Sequence, residues 1–381
     1  MIFERRLLTR DRGAGILEKF WQIPWSFVLL LCAVAAIGYV ALLSAGSGNP
    51  DTYAQKHAIR FGFGLVLMLG LAMIDIRVIA RFAWLGYLGA IGLLVLVLLH
   101  GNVGKGAQRW IDIGPIQLQP SELMKIMLVL ALAAWFHRAS WEKVGNPLFL
   151  IPPAIAVLVP VGLILKQPNL GTALITGMVG AAVFWAAGMR WWKFALLFGA
   201  AGVAAPIAYE RLHDYQRARI TTFLDPESDP LGAGYNIIQS KIALGSGGMW
   251  GKGFLQGTQG HLNFLPEKQT DFIFTMIAEE FGLVGALTTL AMLLLVVAFC
   301  YLVAFRSKHQ FGRLLAIGLG TNFFLYVFVN VAMVTGSIPV GGVPLPLISH
   351  GGSAMITVML GFGLLLSAYV HRDAELGPMR E

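Results

Sequence analysis

Polar positions interrupt this chain only at long intervals. Apolar runs of roughly 17 to 25 residues, the length of helix that crosses a bilayer core, occupy approximately 25–45, 58–75, 82–100, 121–137, 148–165, 170–188, 193–209, 271–305, 313–335 and 353–370. The pattern predicts an all-α polytopic membrane protein with about ten transmembrane helices. The eighth run is longer than a bilayer requires, so it is expected to tilt or to project. Residues 1–24 are polar and basic, and the run behind them is too long for a secretory signal core. The first helix is therefore expected to act as an uncleaved anchor.

Basic residues set the orientation. With the N-terminus inside, the inward connections carry sixteen, from Arg5 and Arg6 through Arg77, Lys143, Arg190 and Lys308 to Arg380. The short outward connections carry five: Lys56, Arg60, Lys105, Arg109 and Lys166. That asymmetry predicts both termini on the cytoplasmic side. The segment 210–270, between the seventh and eighth runs, is then a large outward loop. It is rich in Gly, Pro and polar residues and lacks the periodicity of a folded domain; loops this long are usually functional or disordered.

Composition sharpens the class. The chain is 57% hydrophobic and 13% charged, against roughly half and a quarter for soluble domains. The net charge of +8 is scattered in short clusters between apolar runs, which fits membrane topology and argues against a nucleic-acid partner. Cys32 and Cys300 both lie in apolar runs without metal-ligand or disulfide spacing, so both are expected to be small buried hydrophobes.

Chemistry concentrates at the outward side. The stretch Gly245–Phe274 is glycine-rich, but SGGMWGKG lacks the first glycine and the final Ser or Thr of a phosphate loop. Its glycines are compatible with a flexible loop or with backbone amides that approach a phosphate. Asp271 opens the eighth run. There it would either cap the helix, as Thr270 also could, or act as a carboxylate that takes a proton from a sugar hydroxyl. Glu122 and Lys125, at i,i+3 in an apolar run, form either structural glue or a functional pair; Ser121 is a candidate cap for their helix. Lys105, Arg109, Lys166, Arg217 and Arg219 are outward cations, suited to an anionic ligand or to anionic lipid. Between the last two runs, Gly336–Met355 is rich in proline and glycine. Backbone of that kind persists near membrane depth only when it is buried in protein or lines a cavity.

The stretches KGAQRWI, QPSELMK, QPNLGTA, YQRARI, FLDPESDPLGAGYN, QSKIALGSGG, GKGFLQGTQ, FLPEKQTDFIF, AEEFG and VPLPLISHGGS together resemble the SEDS family of peptidoglycan glycosyltransferases. The GTQ and FLPE segments are closer to its elongation (RodA) branch. The resemblance runs in order over nearly the whole chain, as one integral membrane domain over 1–381 with a periplasmic loop. It implies a lipid II polymerase that builds β-1,4 glycan strands on the outer face of the inner membrane during cell elongation. The family's essential aspartate matches Asp271. Its charged pair in PSE-x-x-K matches Glu122 and Lys125, and its KGAQRW arginine matches Arg109. Lys105, Lys166, Arg217, Arg219, Gln259 and Ser349 are further candidate substrate-binding residues. Two positions depart from the pattern: Asn169 stands where the family usually has Asp, and His350 where it usually has Tyr.

The implied reaction is an inverting displacement with Asp271 as general base. Cations hold the leaving diphosphate, with a divalent cation (Mg or Mn) as a candidate cofactor. Lipid II, membrane lipid and a class B penicillin-binding protein are the implied partners. The rival readings are a lipid II flippase or other transporter, whose polar groups should line a path through the midplane, and a membrane scaffold for a penicillin-binding protein.

Overall fold

A computed structural model of the chain describes residues 15–104, 107–113, 116–137, 139–210, 217, 221–223, 225, 233–261, 264–265, 267–339, 341–374 and 376. A short helix α1 (Ile16–Gln22) precedes the bundle. All ten apolar runs fold as helices: α2 (Trp25–Ala45), α3 (Ala54–Met73), α4 (Ile76–His100), α5 (Pro120–Phe136), α7 (Pro147–Lys166), α8 (Leu170–Ala186), α9 (Trp191–Glu210), α12 (Ile273–Arg306), α13 (Gln310–Val334) and α14 (Gly352–Val370). Seven of them (α2, α3, α4, α7, α12, α13 and α14) are long and apolar enough to cross a membrane, and α8 is a shorter apolar helix. The chain is a multi-pass membrane protein.

Burial separates a centre from a rim. Almost every residue of α5 is buried, and most of α13 and α14 are too. α14 packs along α3, α13 against α12, α8 and α5, and α5 against α4. The rim keeps Phe63, Val66, Phe82, Leu85 and Leu88 exposed, as expected where lipid is the solvent and burial alone does not sort apolar side chains. One rim contact repairs a local defect. Pro160 inside α7 has no N–H for the carbonyl of Ala156 four residues earlier. The Tyr87 hydroxyl of α4 donates to that carbonyl at 2.9 Å.

Two regions differ from the sequence expectation. Between α4 and α5 the chain forms a three-stranded antiparallel sheet, β1 (Asn102–Gly104), β2 (Ala107–Ile113) and β3 (Ile116–Leu118), in the order β1-β2-β3. The outward loop, for which no regular structure was expected, contains α10 (Ala233–Ser246) and α11 (Thr258–His261). α10 buries Ile237, Ser240 and Ala243 on one face. Its Ser240 hydroxyl donates to the Val334 carbonyl at 2.8 Å and lies 2.9 Å from the Thr275 hydroxyl, so the loop is tied to the tops of α12 and α13. A five-residue helix α6 (Trp141–Gly145) precedes α7 at the opposite end.

Candidate active site

Asp271 lies at the start of α12, where three segments meet. Its backbone carbonyl accepts from Asn330 Nδ2 of α13 at 2.9 Å, and the same amide donates to the Val343 carbonyl at 2.8 Å. Ser349 Oγ donates to the Thr270 carbonyl at 2.5 Å and accepts from the Leu345 amide at 2.8 Å. The His350 amide donates to the Gln269 carbonyl at 2.8 Å. The carboxylate faces Gly342, where an added Cβ would lie 3.6 Å from Asp271 Oδ2. These contacts fix a carboxylate by the backbone around it while leaving its immediate neighbour without a side chain. The N-cap position expected at Thr270 or Asp271 falls one residue further on. The helix N-cap is Phe272, without a side-chain cap, and the Thr270 hydroxyl turns to Glu267 Oε2 at 3.2 Å.

The 341–351 segment can sit this deep because α2 makes room. An added Cβ on Gly38 would stand 2.8 Å from Ile348 Cα and 2.9 Å from the Leu347 carbonyl. Leu345, Leu347, Ile348 and Ser349 are buried, the condition for irregular backbone near membrane depth. A pocket opens between this segment, α13 and α14, lined by Pro344, Ser349, Gly351, Met355 and, from below, Tyr326.

Tyr326 joins the pocket to the buried pair. Lys125 Nζ lies 2.8 Å from Glu122 Oε1 and donates to the Tyr326 hydroxyl, which donates to Glu122 Oε2. The ammonium also lies 4.2 Å from the Tyr326 ring centroid. The three groups close a ring in which each polar atom has a partner, as a buried charge requires. Ser121 does not cap α5; its Oγ is buried without a partner among the described residues.

The glycine-rich loop packs against a break in α12. Gly282 has φ 68, and the helix interrupts there. The loop supplies the missing partners: the amides of Lys252 and Gly253 donate to the carbonyls of Glu279 and Glu280, both at 3.0 Å. The amides of Leu283 and Val284 donate to the carbonyls of Gly248 and Met249, at 2.8 and 3.2 Å. An added Cβ on Gly247 or Gly251 would lie 2.1 Å from the carbonyl of Ala278 or Glu280. Glycine is therefore required at these two positions for backbone-to-backbone approach to a helix. Next to the break, buried Glu279 accepts from Lys252 Nζ at 2.7 Å and from the Gln259 amide at 3.0 Å. Gln259 thus bonds to the scaffold through its backbone, and its Oε1 is buried without a partner among the described residues. Lys268 Nζ donates to the Gly260 carbonyl at 2.7 Å, and burial pushes its pKa down.

Three of the five outward cations fall within the described residues. Lys105 and Arg219 lie outside the described residues. Arg109, on β2, donates from Nε to the Gln167 carbonyl at 3.2 Å and from Nη2 to that of Pro168, so it meets the negative end of α7. Lys166 is exposed in the last turn of α7. Arg217 Nη2 donates to the Glu210 carbonyl at 2.6 Å, a local contact. Asn169 caps α8, accepting from the Thr172 amide at 3.4 Å. Among the described residues, no three His, Cys, Asp or Glu side chains gather as a metal site would require. Sequence reasoning missed Asn330 and Tyr326. The available signal was a polar group inside the apolar run 313–335, which is costly in a membrane unless partnered.

The chain is similar in sequence and in structure to proteins of one kind. It is 44% identical over 362 residues to the peptidoglycan glycosyltransferase MrdB of Escherichia coli K12, covering 93% of this chain and 96% of that one. It is 35% identical over 359 residues to a probable peptidoglycan glycosyltransferase FtsW of Escherichia coli O6:H1, covering 88% and 83%. Its fold matches a chain from a solved peptidoglycan synthase complex that coordinates polymerization and crosslinking, with a TM-score of 0.82 and 32% identity over 93% of this chain and 99% of that one. It also matches the rod shape determining protein RodA of Thermus thermophilus, with a TM-score of 0.71 and 29% identity over 93% and 98%. The model of the cell cycle protein family FtsW/RodA/SpoVE matches residues 22–374. With that match across almost the whole chain, this protein belongs to the FtsW/RodA/SpoVE family.

Proposed function

We propose that this chain is a peptidoglycan glycosyltransferase that polymerises lipid II, with Asp271 as the general base. The observation that carries the assignment of the base is the fixed placement of Asp271. Asn330 holds its carbonyl and Ser349 holds the Thr270 carbonyl before it, and its carboxylate faces a glycine. In the proposed step the acceptor sugar's 4-hydroxyl oxygen bonds to the donor's anomeric carbon. The bond from that carbon to the diphosphate breaks, and its electron pair leaves with undecaprenyl diphosphate. The hydroxyl proton passes to Asp271, and inversion gives a β-1,4 linkage. A divalent cation in this site would draw its oxygens largely from diphosphate and water, as Mg commonly does. We further place the Asp271 end of the bundle in the periplasm and both termini in the cytoplasm, with a class B penicillin-binding protein as the crosslinking partner. The resemblance of the fold to a chain of a synthase complex supports that partner.

The test is polymerisation of purified lipid II by purified protein, with and without the partner. Asparagine keeps the size of Asp271 and a carbonyl oxygen that accepts hydrogen bonds, so Asp271→Asn should leave the fold intact and lower polymerisation by about a hundredfold or more. Near-native turnover by a well-folded Asp271→Asn protein would rule out this base. A transporter or scaffold would not depend on proton transfer at this position.

A further inference from the structure

The sequence offered five outward cations for an anion, yet the described ones bind backbone carbonyls or stand in solvent. A different group lies at the end of the 341–351 segment. Arg60, on α3, places Nη1 3.3 Å from His350 Nε2, and Tyr53 packs edge-on against the same imidazole at 5.2 Å. A guanidinium only donates, so His350 Nε2 accepts and the neutral ring carries its proton on Nδ1. That Nδ1 is buried and has no partner among the described residues. Burial, with the Arg60 and Lys56 charges added, holds the ring neutral, its pKa pushed down to about 4.

The same spot is the start of α14. Its N-cap is Gly351, without a side-chain cap. An added Cβ on Gly352 would lie 3.3 Å from the Arg60 guanidinium carbon. A cation thus stands against the positive end of a nineteen-residue helix, an arrangement that is repulsive unless a negative group shares it. One more polar side chain there is buried without a partner among the described residues: Ser353 Oγ in the first turn of α14. Lys56 adds a further charge one turn before Arg60. Unfilled donors, a guanidinium and an uncapped helix N-terminus are the elements of a phosphate site.

We propose that Arg60, His350, Ser353 and the N-terminus of α14 form a subsite for one phosphate of a lipid-linked diphosphate. The assignment to substrate rests on the glycosyltransferase reading. The position agrees with it, because the His350 amide and Ser349 Oγ are bonded to the Gln269 and Thr270 carbonyls directly before Asp271. A phosphate here would be held on the segment that positions the base.

The experiment uses the full chain in nanodiscs of zwitterionic phosphatidylcholine, titrated with inorganic diphosphate and followed by thermal shift. Diphosphate should stabilise the native protein, and Arg60→Gln and His350→Phe should abolish the effect. Ser353→Ala gives a milder third variant should Arg60→Gln fold poorly. With lipid II as donor, loss of one charge-assisted hydrogen bond should raise KM about tenfold or more, with the loss larger in KM than in kcat. Equal stabilisation of native and variant proteins would overturn the subsite. Arg60-dependent stabilisation in phosphatidylglycerol nanodiscs without diphosphate would assign the site to bulk lipid headgroups and overturn it as well. Diphosphate binding that depends on Arg60 supports the subsite even where polymerisation is absent, so failure of the activity and failure of the subsite remain distinct.

Discussion

Lys125 is among the largest fully buried side chains of the protein, and its charge is tolerable there only because Glu122 and Tyr326 close around it. Glu122→Gln should therefore destabilise far more than its size suggests. Removing one partner of a buried pair typically costs about 3–5 kcal/mol, whereas an exposed change such as Glu142→Gln should cost under about 0.5 kcal/mol. Melting in detergent measures both. Glu122→Leu combined with Lys125→Met should recover part of the loss, because no lone charge remains. The i,i+3 spacing made this pair legible in the sequence, but Tyr326 was not. A phenol about two hundred positions away, in an otherwise apolar helix, carries no periodic signal. Histidines at the other end of the bundle give a pH dependence. His309 caps α13 by accepting the Gly312 amide at 2.8 Å, and burial pushes its pKa down to about 4, with His137 and His371 nearby adding to the shift. The unfolded chain takes up the proton near pH 6.5 and the folded one only near 4, so stability rises with pH across that window and falls as the pH drops through it. The melting temperature should fall between pH 7 and pH 5. His309→Asn, which keeps a capping side chain, should weaken the trend; an unchanged slope would remove His309 as its source.

At the scale of elements, α12 raises a length problem. Its 34 residues would span about 51 Å as one helix, well beyond a core of about 30 Å. The break at Gly282 divides it. The part 283–306 is sufficient to cross the bilayer, and the part from Ile273 to Glu280 is wholly buried in protein. The excess length was legible in the sequence, but the break was not. Glycine is common in membrane helices, and the partners of the broken turn come from a loop about thirty residues earlier. The same loop was ambiguous for a physical reason: glycines that allow flexibility and glycines that allow close backbone approach look alike until the opposing backbone is known. Gly251→Ala should separate the two. Its Cβ would meet the Glu280 carbonyl, and the residue has φ +81, so a loss of about 2 kcal/mol or more is expected. Gly199→Ala, within α9 and with open space around it, should instead stabilise by about 0.5–1 kcal/mol. Similar melting temperatures for the two variants would mean that the loop does not rest on the break.

Across the whole molecule, the ten apolar helices were legible because each satisfies its own backbone hydrogen bonds and announces itself by composition. What lay between them was less so. The sheet of β1 to β3 is built from strands of three to seven residues, too short for alternation to register, and α10 depends on packing against α12 and α13. Neither the candidate base's surroundings nor the Arg60–His350 contact has a sequence signature, since both arise where segments far apart in the chain meet. Orientation rests on a different argument. The positive-inside rule counts residues in short connections, while long loops cross largely regardless of charge. The basic residues of the 210–270 segment therefore do not bear on it, and the sixteen-to-five asymmetry of the short connections does. Two exposed positions test this in a background with Cys32 and Cys300 replaced by Ala. Met249, 59% exposed, lies in the loop at the Asp271 end, and Lys308, whose side chain is 73% exposed, lies at the other. In intact cells with the outer barrier permeabilised, a membrane-impermeant maleimide should label Met249→Cys and spare Lys308→Cys until the inner membrane is opened. The reverse pattern would invert the protein and place Asp271 in the cytoplasm. There it could not serve synthesis on the outer face, whatever its geometry.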